Sequence, residues 1–164
     1  MFHCNEKVVY PGHGVAFINQ IIEKNIGGTN IKFYELVFLN KEVTVLVPMS
    51  NAEAIGIRSL CSFDEVSQVF DTLAQKPIKK AGYAGHLLSW NKRSKNYQAK
   101  LRTGSLLQLT EIYKELLTTE KEKPLSFGER HLLAQTECLL VEEIALVHDI
   151  DRDEVVSKLR AASA

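Results

Sequence analysis

Acidic residues are absent from one long stretch of this 164-residue chain. Between Asp71 and Glu111 there is no Asp or Glu, whereas the same window holds eight Lys and Arg residues. Residues 1–71, 72–110 and 111–164 carry net charges of −3, +8 and −5, which cancel over the whole chain. Counterions are released where phosphates meet clustered cations, so this local excess favours a nucleic-acid partner. The alternative is a solvated helix face, but such faces normally mix both signs because like charges repel.

Cysteine is also scarce, and no motif of metal or nucleophilic chemistry is present. Cys4, Cys61 and Cys138 are far apart without C-x-x-C spacing, which gives no support for a disulfide framework or a zinc site. The five histidines show no metal-ligand spacing, and no P-loop, G-x-S-x-G or Cys/His signature occurs. We therefore predict no metal, no cofactor, no catalytic residue and no small-molecule substrate.

Long apolar runs are missing as well. No stretch of about 18 apolar residues occurs, and the start of the chain has no basic segment followed by an apolar one. These two absences predict a cytoplasmic protein without a membrane partner.

The first sixty residues predict β structure. Four short runs rich in β-branched and aromatic residues alternate with turn residues that tolerate positive φ. The runs are 7–10, 15–22, 31–39 and 42–47. Several short antiparallel strands within such a length are typical of a small SH3-like barrel.

Beyond Arg58 the apolar residues recur three and four positions apart, as in helices. Gly82 and Gly85 break the chain between the first two predicted helices, and Ser126 with Glu129 forms a capping box. The predicted N-caps are Ser62, Ser89, Ser105, Ser126 and Asp151. The predicted fold class is therefore α+β, with a β-barrel in residues 1–58 and an all-α bundle of about five helices in residues 59–164.

Trp90, the single tryptophan, has two interpretations. At about 100° per residue it shares a helix face with Tyr97 and Leu101, which favours packing in a core. With Ser89 as N-cap it is instead the first helical residue, where its ring could stack on an unpaired base while nearby cations hold phosphates. The cations of this helix that turn away from the Trp90 face are Lys92, Arg93, Lys95 and Lys100. The residues alone leave both interpretations open.

Six segments spread over nearly the whole chain carry a family resemblance. They are Val8 to Gly14, Val45 to Pro48, Asn51 with Ala52, Gly56 to Arg58, Trp90 to Arg93 and Leu125 to Arg130. Together they resemble the CarD and CdnL family of bacterial transcription regulators, whose amino-terminal module also occurs in the transcription-repair coupling factor.

The resemblance implies a Tudor-like barrel that docks on the β subunit of RNA polymerase, partly by extending a sheet. The positions that match the family's docking surface are Lys24, Ile26 and Leu46. Leu46 stands where some relatives have arginine, which suggests a more apolar contact in this chain.

For the helical domain, the resemblance implies contact with promoter DNA at the upstream fork of the transcription bubble, largely without sequence specificity. Trp90 matches the family's wedge in the distorted minor groove. Lys92, Arg93 and Arg130 match its DNA-contacting positions. Gln98 replaces a lysine of some relatives, for which Lys95 and Lys100 could substitute from neighbouring turns.

We therefore predict a non-enzymatic, nucleoid-associated transcription regulator that binds RNA polymerase and stabilises the open promoter complex. Two alternatives belong to other classes. One is a protein-interaction adaptor with no DNA role, and the other is a general nucleic-acid-binding protein that binds duplex without polymerase.

Overall fold

Two units make up the residues that this computed structural model describes, which are 1–76 and 90–164. Met1–Leu60 forms the β unit and Cys61–Ala164 forms the helical unit, and each has its own hydrophobic core. The predicted chain breaks at Gly82 and Gly85 and the predicted N-cap Ser89 lie outside the described residues.

The β unit contains an antiparallel sheet of five strands in the order β4-β3-β2-β1-β5. The strands are β1 (Lys7–Tyr10), β2 (Gly14–Ile26), β3 (Thr29–Phe38), β4 (Thr44–Pro48) and β5 (Arg58–Ser59). A two-residue turn joins β2 to β3 and places Gly27 and Gly28 at φ values of 60° and 85°. Two consecutive positive φ values define a type I′ turn, for which glycine is suited because it has no Cβ.

A bulge in β2 decides which side chains face away from the core. Ile18 pairs with Leu36, and both are fully buried, whereas the next pair in the ladder is Gln20 with Glu35. The extra residue, Asn19, moves Gln20 to the opposite face of the sheet. Every second residue after Gln20 lies on that same face, so the second half of β2 presents to solvent side chains that would otherwise point toward the core.

The predicted barrel is wrong, because the sheet is open. In residues 1–76, β4 pairs only with β3 and β5 pairs only with β1, and these two strands form the outer edges of the sheet. The chain passes from β4 to β5 through a 3-10 turn and a one-turn helix, α1 (Ala52–Ile55). This connection adds Ala52 and Ile57 to the buried core. The core is thus covered by the connection and not by closure of the strands.

Six α-helices lie in the described residues, where about five were predicted. After α1 they are α2 (Phe63–Ala74), α3 (Trp90–Thr103), α4 (Leu106–Glu122), α5 (Phe127–His148) and α6 (Arg152–Ala162). The additional helix is α1, which belongs to the β unit and whose four residues are too few for a periodic apolar pattern. None of the helices in residues 1–76 and 90–164 is both long and apolar enough to cross a membrane.

Local capping explains where the long helices begin. Ser62 and Ser126 each accept a hydrogen bond from the backbone N–H of a glutamate three residues later, and each glutamate carboxylate accepts one in return. These are the two capping boxes that start α2 and α5. Gly104, at φ 67°, follows the end of α3, and Ser105 caps α4.

Candidate nucleic-acid interface

Trp90 lies at the rim of the helical core. It is the first residue of α3, and 37% of its surface is exposed, whereas Tyr97 and Leu101 on the same helix face are buried. Its ring rests on the first turn of α5, where a Cβ on Gly128 would lie 2.7 Å from the Trp90 Cζ2 atom. The lack of a side chain at Gly128 therefore permits this contact. Trp90 is thus held against α5 while part of its surface stays exposed.

Arg93 does not turn away from the Trp90 face, as the helix spacing predicted, but packs against Trp90 from the next turn of α3 and acts as a brace. Its guanidinium carbon lies 5.9 Å from the Trp90 ring centroid and 6.0 Å from that of Tyr97, within the range of cation–π attraction. Its Nη1 donates to Glu129 Oε1 at 3.2 Å, and the two side chains are only 18% and 5% exposed. The charge of Arg93, predicted to contact DNA, is thus engaged inside the protein.

Glu129 joins this ion pair to the start of α5. Its carboxylate accepts the Ser126 backbone N–H at 2.8 Å while its own N–H donates to Ser126 Oγ. Burial acts to raise the pKa of Glu129, but the Ser126 N–H and the positive charge of Arg93 outweigh burial, so that the pKa lies below its ordinary value. Burial likewise acts to lower the pKa of Arg93, and the nearby Tyr97 and Glu129 outweigh it and raise the pKa. Both partners are therefore charged at neutral pH.

Tyr97 forms the buried side of this cluster. Its hydroxyl makes no hydrogen bond of good geometry with the residues that the structure describes. Burial raises the pKa of Tyr97 to about 12, so the phenol stays neutral beside the Arg93 guanidinium.

The other cations predicted to contact DNA do not gather around Trp90. Lys92 and Lys95 are exposed and, at about 100° per residue, lie on the far side of α3. Lys100 pairs with Glu111 on α4 at 3.2 Å. Arg130 is exposed on α5, two residues beyond Gly128. Of the predicted DNA-contacting cations, Arg93 is thus in a buried ion pair and Lys100 in a surface ion pair, and the other three are exposed on two helices.

Two further residues, which the sequence alone did not single out, lie next to Trp90. A shallow depression next to the ring is lined by Trp90, Arg93 and residues 123–129. Within that segment, Lys123 is exposed and Phe127 is 82% exposed. Phe127 directly follows the N-cap of a predicted capping box, and this position was the available signal that its ring would point outward.

The predicted docking residues of the β unit share one face of the sheet. Cross-strand pairing places Lys24 opposite Ile31 and Leu46 opposite Glu35, on the face to which the bulge turned Gln20. Ile26 falls on the same face and is 52% exposed, and Leu46 is 36% exposed. Half-buried Ile22, Ile31 and Phe33 lie between them. We call this set, with Lys24, Ile26 and Leu46, the outer face of the sheet.

Both units match known family models, in the order in which they occur in the chain. Residues 2–61 match the CarD-like/TRCF RID domain, and residues 68–160 match the CarD C-terminal domain. A sheet unit and a helical unit with these matches define a transcription regulator of two domains. The chain belongs to the CarD-like family, as the sequence motifs predicted.

Two relatives illustrate the similarity. The chain is 28% identical over 160 residues to the "Putative transcription factor YdeB" of Bacillus subtilis (strain 168), an alignment covering 96% of this chain and 99% of the relative. It also resembles the solution NMR structure of the 72-residue N-terminal domain of Myxococcus xanthus CarD, at 29% identity and a TM-score of 0.32. That match covers 36% of this chain and 79% of the other.

Proposed function

We propose that this protein docks on the β subunit of RNA polymerase through the outer face of its sheet and stabilises the promoter open complex through Trp90. The observation that carries the proposal is the state of Trp90, whose ring packs against Gly128 while 37% of the surface of the residue stays exposed. A ring that is only core would be covered, and a free surface ring would lack this support.

The outer face of the sheet suits a protein partner. Ile26 and Leu46 are exposed apolar residues on one face, and half-buried apolar side chains connect them. Among the residues that the structure describes, β4 is an outer strand, so its free edge is available to a strand of the partner. Lys24 adds one exposed positive charge at the rim. The polymerase contact therefore combines apolar side-chain packing with strand addition.

The wedge action follows from how Trp90 is held. An aromatic ring inserted beside a melted base pair hinders restacking and lowers the open complex relative to the closed one. The Glu129 and Arg93 brace fixes the ring beforehand, which reduces the entropy lost on insertion. If binding favours the open state by about 1.4 kcal/mol, open complexes increase about tenfold.

The proposed action of Trp90 on DNA is tested by the lifetime of open complexes after challenge with a competitor, measured with the wild-type chain and with Trp90→Ala. We expect the variant to bind polymerase normally and to lose most of the stabilisation. Leu107→Ala is a matched control, because Leu107 on α4 is also 37% exposed and does not line the depression. An unchanged lifetime with Trp90→Ala would refute the wedge and favour an adaptor.

Docking is tested by pull-down with the isolated β lobe. We expect Leu46→Asp to abolish capture, because a carboxylate placed on the outer face costs desolvation when the partner covers it. Leu39→Asp changes a residue of similar exposure outside the strands and should leave capture intact. Capture that persists with Leu46→Asp contradicts this docking surface. Tight binding of duplex without polymerase, with a steep salt dependence, would instead indicate a general nucleic-acid-binding protein.

A further inference from the structure

Phe127 is an exposed aromatic residue to which the proposed function gives no role. It is the first residue of α5, and 82% of its surface is accessible. A single exposed apolar side chain is ordinary in a folded protein. Phe127 differs because it lines the same depression as Trp90, so that two exposed rings border one concave surface.

The rings of Trp90 and Phe127 both lie at the first turn of α5. Trp90 packs on Gly128, the residue that follows Phe127, and a methyl group there would overlap the indole. The capping box of Ser126 and Glu129 fixes the start of α5, where Phe127 is the first residue. The first turn of α5 therefore carries both the Phe127 side chain and the Gly128 surface on which Trp90 packs.

The charge around the depression suits a polyanion. Lys123 lines it, and the first turn of α5 adds the positive end of a helix dipole. Glu129 is the one carboxylate among the described lining residues, and it is already engaged by the Ser126 N–H and by Arg93. A phosphate approaching this surface meets no unpaired negative charge from the residues that line it.

We infer that this depression receives an unpaired nucleobase of the melted promoter strand, stacked on the Phe127 ring, with its phosphate against Lys123. The inference rests on the proposed function, because the open complex supplies the unpaired base. Trp90 separates the base pair and Phe127 holds a base that the separation releases. Stacking of this kind accepts any base, since every base has a π face.

The test uses the full chain, RNA polymerase and promoter DNA that carries 2-aminopurine in turn at each unpaired position near the upstream fork. We expect Phe127→Ala to shorten open-complex lifetime about fivefold or more, which corresponds to the lower limit of about 1 kcal/mol for stacking a base on an aromatic ring. The same variant should raise 2-aminopurine fluorescence at one position, because stacking quenches it. Phe127→Tyr keeps the ring and should preserve both readouts.

Phe63 offers a matched control. It is also the first residue of a helix that begins with a Ser–Glu capping box, and it is 64% exposed, but it lies on α2 and packs against His148. Phe63→Ala should leave lifetime and fluorescence unchanged. If Trp90→Ala shortens the lifetime and Phe127→Ala does not, the base site is refuted while the proposed function stands. If neither has an effect, the proposed function fails too. If Phe127→Ala weakens binding to polymerase without DNA, the ring contacts protein and the base site is likewise refuted.

Discussion

Replacement of Glu129 by alanine tests the brace behind Trp90, and its cost can be worked out from two contacts. The first is the hydrogen bond from the Ser126 N–H, made at 2.8 Å. Loss of such a cap costs about 1 kcal/mol. The second is the ion pair with Arg93, whose side chain is 18% exposed. Breaking a fully buried pair costs about 3–5 kcal/mol.

The second contribution is smaller here, because Arg93 keeps some solvent and its two aromatic neighbours after the change. We take about 1–2 kcal/mol for the ion pair, so that Glu129→Ala should destabilise the helical unit by about 2–3 kcal/mol. At about 4 °C for each kcal/mol in a unit of roughly 100 residues, the midpoint of thermal unfolding should fall by about 8–12 °C.

The second capping box of the chain provides the control. Glu65 accepts the Ser62 N–H at 2.8 Å with the same geometry, but it is exposed at the start of α2. Glu65→Ala should therefore cost only the cap, about 1 kcal/mol. Both residues lie in the helical unit, so thermal unfolding followed by circular dichroism reports the same transition for the two variants. Equal losses of stability would show that the pair with Arg93 contributes nothing.

Two further predictions concern the same site. The carboxylate of Glu129 has a folded-state pKa below the ordinary 4.5, so its contribution to folding stability is complete above that value and is lost as pH falls through the lower folded pKa. Urea unfolding at several pH values should therefore show a steeper loss of stability below about pH 5 for the wild type than for Glu129→Gln. Parallel stability curves for the two proteins would contradict this prediction. Gly128→Ala should displace the Trp90 ring, because the new methyl lies 2.7 Å from Cζ2; the emission of this single tryptophan should shift to longer wavelength, and an unchanged spectrum would mean that the ring does not rest there.

Helix starts could be predicted from sequence because capping is local. Ser126 and Glu129 are three residues apart, and their side chains satisfy each other's backbone N–H groups whatever the rest of the fold does. The pairing of Arg93 with Glu129 carried no such signal, since the partners are far apart in sequence and each fits another role. Arg93 looked like a phosphate contact because the window around it lacks acids, whereas its acid lies on another helix.

In the sheet, too, features that depend on a partner distant in sequence could not be predicted. The predicted second strand ended at Ile22, because Lys24 and Asn25 are polar and break the apolar run. β2 continues to Ile26 because its ladder with β3 uses backbone groups, and the Gly27–Gly28 turn holds the two strands in register. The bulge at Asn19 is defined only by the partner strand. No pattern within β2 therefore showed that Lys24 and Ile26 face away from the core.

The charge near Trp90 implies that, in the proposed function, binding to DNA depends on polymerase. Arg93 pairs with Glu129 inside the helical unit and Lys100 pairs with Glu111 at its surface, so acids of other helices balance part of the excess charge of the basic window. The exposed cations closest in the chain to the Gly128 turn, Lys123 and Arg130, belong to the segment 111–164, whose net charge is −5. Affinity for free duplex, which grows with the number of neutralised phosphates, should therefore be low. In the proposed function, a tether through the sheet would raise the effective concentration of Trp90 at the fork, so that a weak contact suffices once polymerase has opened the strands.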